Sequence, residues 1–216
     1  MSPVFSENLA LALFALCFGL SLARAFRDRT RPWVILAFGC GCNLFAQAYW
    51  VGFMVVFGET PIYFYISDIG WAAQFLFIVM LLVECNIARA PNPPVSAAWA
   101  PVVVSAFLTI YYIYVGNNVI VCLVDGALIA SIGYFAVKGL AAKPDEGALA
   151  EGGGRKLFRY NRVFAGMCLA FVVTELGLWT ASCFYSEVPI AYDVFNYALF
   201  ASHVGLIACA WGSEDI

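Results

Sequence analysis

Charge is the first thing this sequence lacks. Only 12% of its 216 residues are charged and 63% are hydrophobic, whereas soluble domains average about 25% charged and about 45–50% apolar residues. A chain with half the usual charge cannot cover a water-facing surface, so an ordinary soluble globular domain is excluded. The net charge of −3 excludes a broad basic surface, and with it a nucleic-acid partner. Histidine is almost absent: His203 stands alone. Catalytic zinc generally takes three protein ligands, so membrane zinc hydrolysis and bis-histidine haem ligation both fall away. The last apolar run, Tyr192 to Trp211, has no lysine, which excludes a retinal Schiff base there. Gly152-Gly153-Gly154 lacks the strand-turn-helix context of a phosphate-binding loop. No pattern calls for a metal or cofactor, no catalytic residue is assigned, and the reading leans away from an enzyme.

What is present is long apolar runs. A transmembrane helix needs about 20 mostly apolar residues, and seven stretches qualify, at about 8–25, 33–57, 63–85, 97–115, 118–137, 161–185 and 192–211. The expected fold is all-α: a single domain over 1–216, a polytopic membrane protein built as a seven-transmembrane-helix bundle. Short connectors carry breakers, such as Gly58-Glu59-Thr60-Pro61 and Ala90-Pro91-Asn92-Pro93-Pro94. One connector is long, about 138–160, and its Lys143-Pro144-Asp145-Glu146 and Glu151-Gly152-Gly153-Gly154 stretches predict a flexible loop.

The bases set the orientation. Arg24, Arg27, Arg29 and Arg31 separate spans one and two, and Arg89 separates three and four. Lys138, Lys143, Arg155, Lys156, Arg159 and Arg162 separate five and six. These are all eleven lysines and arginines, and all fall on one side. The positive-inside rule makes that side cytoplasmic, with the N-terminus outside and the C-terminus inside a plasma (inner) membrane. Span one ends in Ala23-Arg24-Ala25, like a signal-peptide cleavage site. Its leading segment, however, carries Glu7 and no base, so it is read as a retained membrane helix.

Eight cysteines suggest a disulfide framework only in a small secreted chain. Here all lie in or at the ends of spans, where cysteine acts as a small hydrophobe. Cys122 and Cys183 both lie toward the outer side, but a disulfide between them is not the expected reading.

Polar residues within spans are functional hypotheses by default. Helical spacing gathers them: Asn43, Gln47 and Trp50 on one face of span two, Asp68 and Trp71 on span three, Glu175, Trp179 and Ser182 on span six, and Asn196 and His203 on span seven. Asp125 lies on span five. Glu175 falls near mid-depth, whereas Asp68 and Asp125 lie a turn or two from the outer face, where interfacial water is the simplest account of them. These faces are expected to converge on a polar-aromatic pocket in the outer half of the bundle, for a small amphipathic or cationic ligand. Its lining is Asn43, Gln47, Trp50, Asp68, Trp71, Asp125, Glu175, Trp179, Asn196 and His203. Glu175 needs a proton, a cation, or a hydrogen bond to Gln47 or His203 to offset burial. Tyr63, Tyr111, Tyr112, Tyr114, Tyr185 and Tyr192 fit the interfacial aromatic belt.

A shift of 128 residues lays Glu59-Thr60-Pro61-Ile62 on Glu187-Val188-Pro189-Ile190, Gln47 on Glu175, and Asp68 on Asn196. Such weak internal repeats are common in transporters. The resulting three-plus-one-plus-three arrangement resembles the topology of SWEET and PQ-loop transporters, without their mid-helix prolines. The run Trp50…Pro61…Ser67-Asp68-Ile69-Gly70-Trp71…Phe75-Leu76 resembles bacterial seven-transmembrane-helix sensory modules, which precede histidine kinases and diguanylate cyclases. That resemblance implies a sensory or ligand-binding module. The chain stops at Ser213-Glu214-Asp215-Ile216, so a sensor is expected to signal through a separate cytoplasmic or membrane partner by way of the 138–160 loop. Two further readings stand beside it. One is a small-solute transporter with proton coupling through Glu175; the other is a structural subunit of a membrane complex, packing through small-residue faces such as Gly39-x-Gly41.

Overall fold

The computed structural model describes residues 3–59, 61, 65–87, 95–115, 118–141, 162–184, 187 and 189–212. Among these residues the chain is all-helical. Seven helices follow one another: α1 (Pro3–Asp28), α2 (Arg31–Phe57), α3 (Tyr65–Ile87), α4 (Trp99–Tyr114), α5 (Val119–Ala141), α6 (Arg162–Cys183) and α7 (Pro189–Gly212), with a 3-10 turn at Ser96–Ala98 leading into α4. Seven helical segments are long and apolar enough to cross a membrane, the 3-10 turn counting with α4.

Local chemistry explains the helix ends. Thr30 is extended (φ −96°, ψ 146°) and Pro32 follows in the first turn of α2, where a missing N–H is no loss. Gly58 closes α2 in the left-handed region at φ 74°, its N–H donating to the Met54 carbonyl, a conformation glycine adopts without steric penalty. Asn118 accepts hydrogen bonds from the Ile120 and Val121 N–H groups at 3.0 and 3.3 Å, capping α5. Proline opens α7 at Pro189.

The ends depart from expectation in places. Helix α1 begins at Pro3, ahead of the expected start near 8, so Glu7 becomes a helix residue. Helix α5 runs to Ala141, so the first four residues of the expected loop are helical. Gly139 is buried and Lys138 only partly exposed, as expected where an apolar face continues and a lysine stem lies along it. The remainder of that loop, 142–160, lies outside the described residues, as do Arg89, Tyr63 and Tyr185.

The described residues form two compact units, 1–78 and 79–216, with the division inside α3. In the first unit α2 packs on α1 and on the start of α3. A Cβ on Gly70 of α3 would stand 2.7 Å from the Ala46 Cβ and 2.9 Å from the Cys42 carbonyl oxygen, so only glycine permits this approach. Ser67 donates to the Ala46 carbonyl at 3.3 Å, and Phe38 stacks on Phe77 with centroids 5.9 Å apart. Gly39 and Gly41, expected as an outward packing face, are both buried and face Phe77 and Phe18 of this same chain. At the α1–α2 junction Arg24 pairs with Asp28 at 3.2 Å and lies 5.9 Å over the Trp33 ring.

In the second unit α4 and α5 pack antiparallel, as do α6 and α7. Gly126 meets Thr109 and Gly133 meets Pro101; Gly177 meets Phe195 and Gly205 meets Met167. Helix α4 is inverted relative to a soluble helix. Its buried residues are Ser105, Thr109 and Tyr112, while Val103, Val104, Phe107 and Ile110 are exposed. Polar groups inside and large apolar groups outside suit a hydrocarbon surround rather than water.

Candidate functional site

The ten sequence-predicted residues divide between the units: Asn43, Gln47, Trp50, Asp68 and Trp71 in the first, Asp125, Glu175, Trp179, Asn196 and His203 in the second.

In the first unit Asn43 and Gln47 are buried one turn apart on α2. Gln47 Nε2 donates to Glu7 Oε2 at 2.6 Å and approaches the Glu7 carbonyl oxygen at 3.4 Å. Gln47 is therefore answered by a residue of the α1 start. Glu7 carries no motif; the signal for it is an acid at the opening of an apolar run, and it becomes readable only when α1 extends to Pro3. Trp50 and Trp71 meet with centroids 5.9 Å apart, and Asp68 is half-buried.

The second unit holds the denser cluster. Glu175 on α6 is 7% exposed and Asp125 on α5 is 3% exposed, and the two carboxyl groups lie within electrostatic reach of each other. Interfacial water does not account for Asp125: it is buried. Trp179, one turn beyond Glu175, offers it a side-chain hydrogen bond. The second oxygen, Glu175 Oε2, is buried without a hydrogen-bond partner among the described residues. Within the unit the bases of α4–α7 are Lys138 and Arg162. Each lies more than three turns along its own helix from Asp125 or Glu175, about 20 Å at about 1.5 Å per residue.

Tyr112 encloses this pair from α4. It is 1% exposed, so it does not belong to the interfacial belt. Its hydroxyl donates to the Leu176 carbonyl at 3.0 Å and lies 2.8 Å from Thr180 Oγ1, while Thr180 Oγ1 donates to the same carbonyl at 2.7 Å. Its ring sits 5.5 Å from that of Trp179, and Glu175, Cys122 and Cys183 are all within electrostatic reach of its hydroxyl. Cys122 and Cys183 are not joined in a disulfide. The missed signal is the i, i+4, i+7 spacing of Ser105, Thr109 and Tyr112, one polar stripe on an otherwise apolar helix.

Thr109 abuts Gly126, the neighbour of Asp125. The contact of Gly177 with Phe195 sets Asn196, buried on α7, at the level of Leu176. Thr109, Tyr112, Asp125 and Glu175 thus form one buried polar layer across three helices, with Asn196 buried on α7 at the same level. His203 belongs to a level nearer the start of α6. Its Nδ1 lies 2.9 Å from the Leu199 carbonyl oxygen, and its ring meets Phe171 edge-on at 5.2 Å. Ser182 is exposed and donates to the Trp179 carbonyl at 2.7 Å, so it leaves the predicted face.

Among the described residues no group of three or more His, Cys, Asp or Glu side chains is placed to hold a metal ion. Comparison with protein-family models, curated proteins and solved structures gave no match.

Proposed function

We propose that this chain is a multi-pass plasma (inner) membrane protein, N-terminus outside and C-terminus cytoplasmic, that acts as a sensory or ligand-binding module without chemistry of its own. Its ligand is a cation, held in the second unit by Asp125 and Glu175 beside Tyr112 and Trp179. The observation that carries this reading is the unsatisfied, buried Glu175 Oε2 beside a second buried carboxyl group. Burying such a group without a partner is costly, and two acids with no lysine or arginine nearby among the described residues of their unit attract positive charge. Orientation rests on the one-sided distribution of the eleven bases, and signalling on a separate membrane or cytoplasmic partner.

The test is thermal unfolding of the purified chain in detergent with sodium, potassium or tetramethylammonium chloride, at ionic strength matched by N-methylglucamine chloride. At least one cation raises the midpoint in the wild type and not in Glu175→Gln; a ligand at 100 times its Kd adds about 2.7 kcal/mol. No cation-specific shift refutes the reading. The same acid pair also supports proton-coupled transport of a small solute, a reading separated by flux: a module of the first kind binds in proteoliposomes without moving its ligand, whereas a transporter loses uptake in Glu175→Gln.

A further inference from the structure

The polar layer is closed as well as acidic. Asp125, Glu175, Tyr112, Thr109 and Asn196 are each at most 8% exposed, and the space a Cβ would fill at Gly126 is already occupied by the Thr109 side chain. An organic ammonium ion needs room for its substituents that packing of this kind does not leave. A bare ion needs only oxygen atoms to replace its water. The layer supplies them: two carboxyl groups and the Thr109 and Tyr112 hydroxyls. Sulfur and imidazole, the ligands of softer metals, sit at its edge in Cys122, Cys183 and His203. Divalent ions fit this packing less well: Mg²⁺ on one or two carboxylates keeps several waters, for which a closed layer has no room, and Ca²⁺ takes about 6–8 oxygen ligands.

We infer that the occupant of the Asp125–Glu175 pair is an alkali cation of sodium size, taken up in exchange for one proton. This inference rests on the cation site proposed above and narrows its ligand. One proton leaves as one cation enters, so the charge of the layer is the same in both states and no base is required within it. Among the described residues the titratable groups beside the pair in this unit are Tyr112 from α4, Cys122 from α5 and Cys183 from the end of α6; on α7 Tyr197 stands at the level of Glu175 and His203 lies against Phe171, one turn from Glu175. The pair differs from these in having an oxygen, Glu175 Oε2, buried and open to a ligand.

The experiment uses the full chain in detergent micelles. Thermal midpoints are followed against sodium chloride at pH 6, 7 and 8, with N-methylglucamine chloride holding ionic strength constant, for the wild type, Glu175→Gln and Asp125→Asn. Sodium raises the wild-type midpoint, and one-for-one competition moves the half-effect concentration up about tenfold for each unit the pH falls. Both variants lose the sodium-dependent shift. Proton release on adding sodium chloride to weakly buffered wild-type protein is read with an indicator dye, and about one proton per chain is expected. This measurement keeps the test open if a variant fails to fold. A half-effect concentration independent of pH, no proton release, or a sodium shift that survives in folded Glu175→Gln overturns the inference. Stabilisation by tetramethylammonium but not sodium overturns it while leaving the cation site standing; no stabilisation by any cation removes both.

Discussion

Tyr112→Phe tests whether the α4–α6 contact is held by a shared hydrogen bond or by a single indispensable one. The tyrosine hydroxyl and Thr180 Oγ1 converge on one acceptor, the Leu176 carbonyl, at 3.0 and 2.7 Å. Deleting the tyrosine oxygen therefore orphans nothing: Thr180 keeps its acceptor and the carbonyl keeps Thr180. The cost is then the net value of one hydrogen bond, about 0.5–1.5 kcal/mol, close to the average of about 0.6 kcal/mol for polar contacts between membrane helices. Thr180→Val is expected to cost a similar amount, since Tyr112 still reaches Leu176. The double variant leaves the carbonyl with its backbone partner alone, so the two changes couple, by about 0.5 kcal/mol or more. Tyr112→Ala is a different perturbation. It removes a wholly buried ring packed on Trp179 and is expected to cost about 3–5 kcal/mol. The assay is reversible unfolding in mixed micelles, where denaturing detergent is titrated against helicity and Trp fluorescence. A loss above about 3 kcal/mol for Tyr112→Phe, the size expected for an uncompensated buried polar group, refutes the shared-acceptor account, as does strict additivity of the two single variants.

Three further outcomes follow from the packing. Gly126→Ala drives a methyl group into Thr109 and is expected to destabilise by about 1–3 kcal/mol; adding Thr109→Ala restores part of that loss in the same unfolding assay, and no recovery contradicts the contact. Gln47→Leu removes the donor to Glu7 Oε2 and is expected to cost about 1–3 kcal/mol, while Glu7→Gln, which keeps an acceptor oxygen, costs less; the reverse order speaks against this pairing. Asn118→Ala removes the α5 cap at about 1 kcal/mol, read as faster amide exchange at Ile120 and Val121 with the rest of α5 unchanged.

The seven helices are legible because apolar length is a local property. The boundaries are less so, and each departure has a cause. Proline is tolerated in the first turn of a helix, so α1 and α7 begin at Pro3 and Pro189, ahead of their apolar cores. A lysine stem lies along an apolar face, so α5 passes through Lys138. That Glu175, Asp125 and Trp179 deserve notice is legible because an acid on an apolar helix is conspicuous, and the fold brings the three together. Tyr112 escapes because residue type and position near a span end match an interfacial tyrosine. What distinguishes it is the face it occupies, shared with Ser105 and Thr109. Gly39 and Gly41 look like an outward surface for the same reason: a glycine pair marks a close approach but does not name the neighbour.

By itself the sequence determined that the chain is helical, that it has seven segments able to cross a membrane, and that its bases fall in alternate connectors, because hydropathy and charge are summed along the chain without reference to partners. Only the tertiary structure decided that Gln47 answers Glu7, that α4 turns its polar stripe inward, and that Asp125, Glu175 and Tyr112 meet in one closed layer. The physical reason is that an apolar helix has little amphipathicity to show which side is buried. Close packing at glycines such as Gly126 and Gly177, and the need to satisfy each buried polar atom, fix the rotation of these helices about their axes, and neither is written in any single segment.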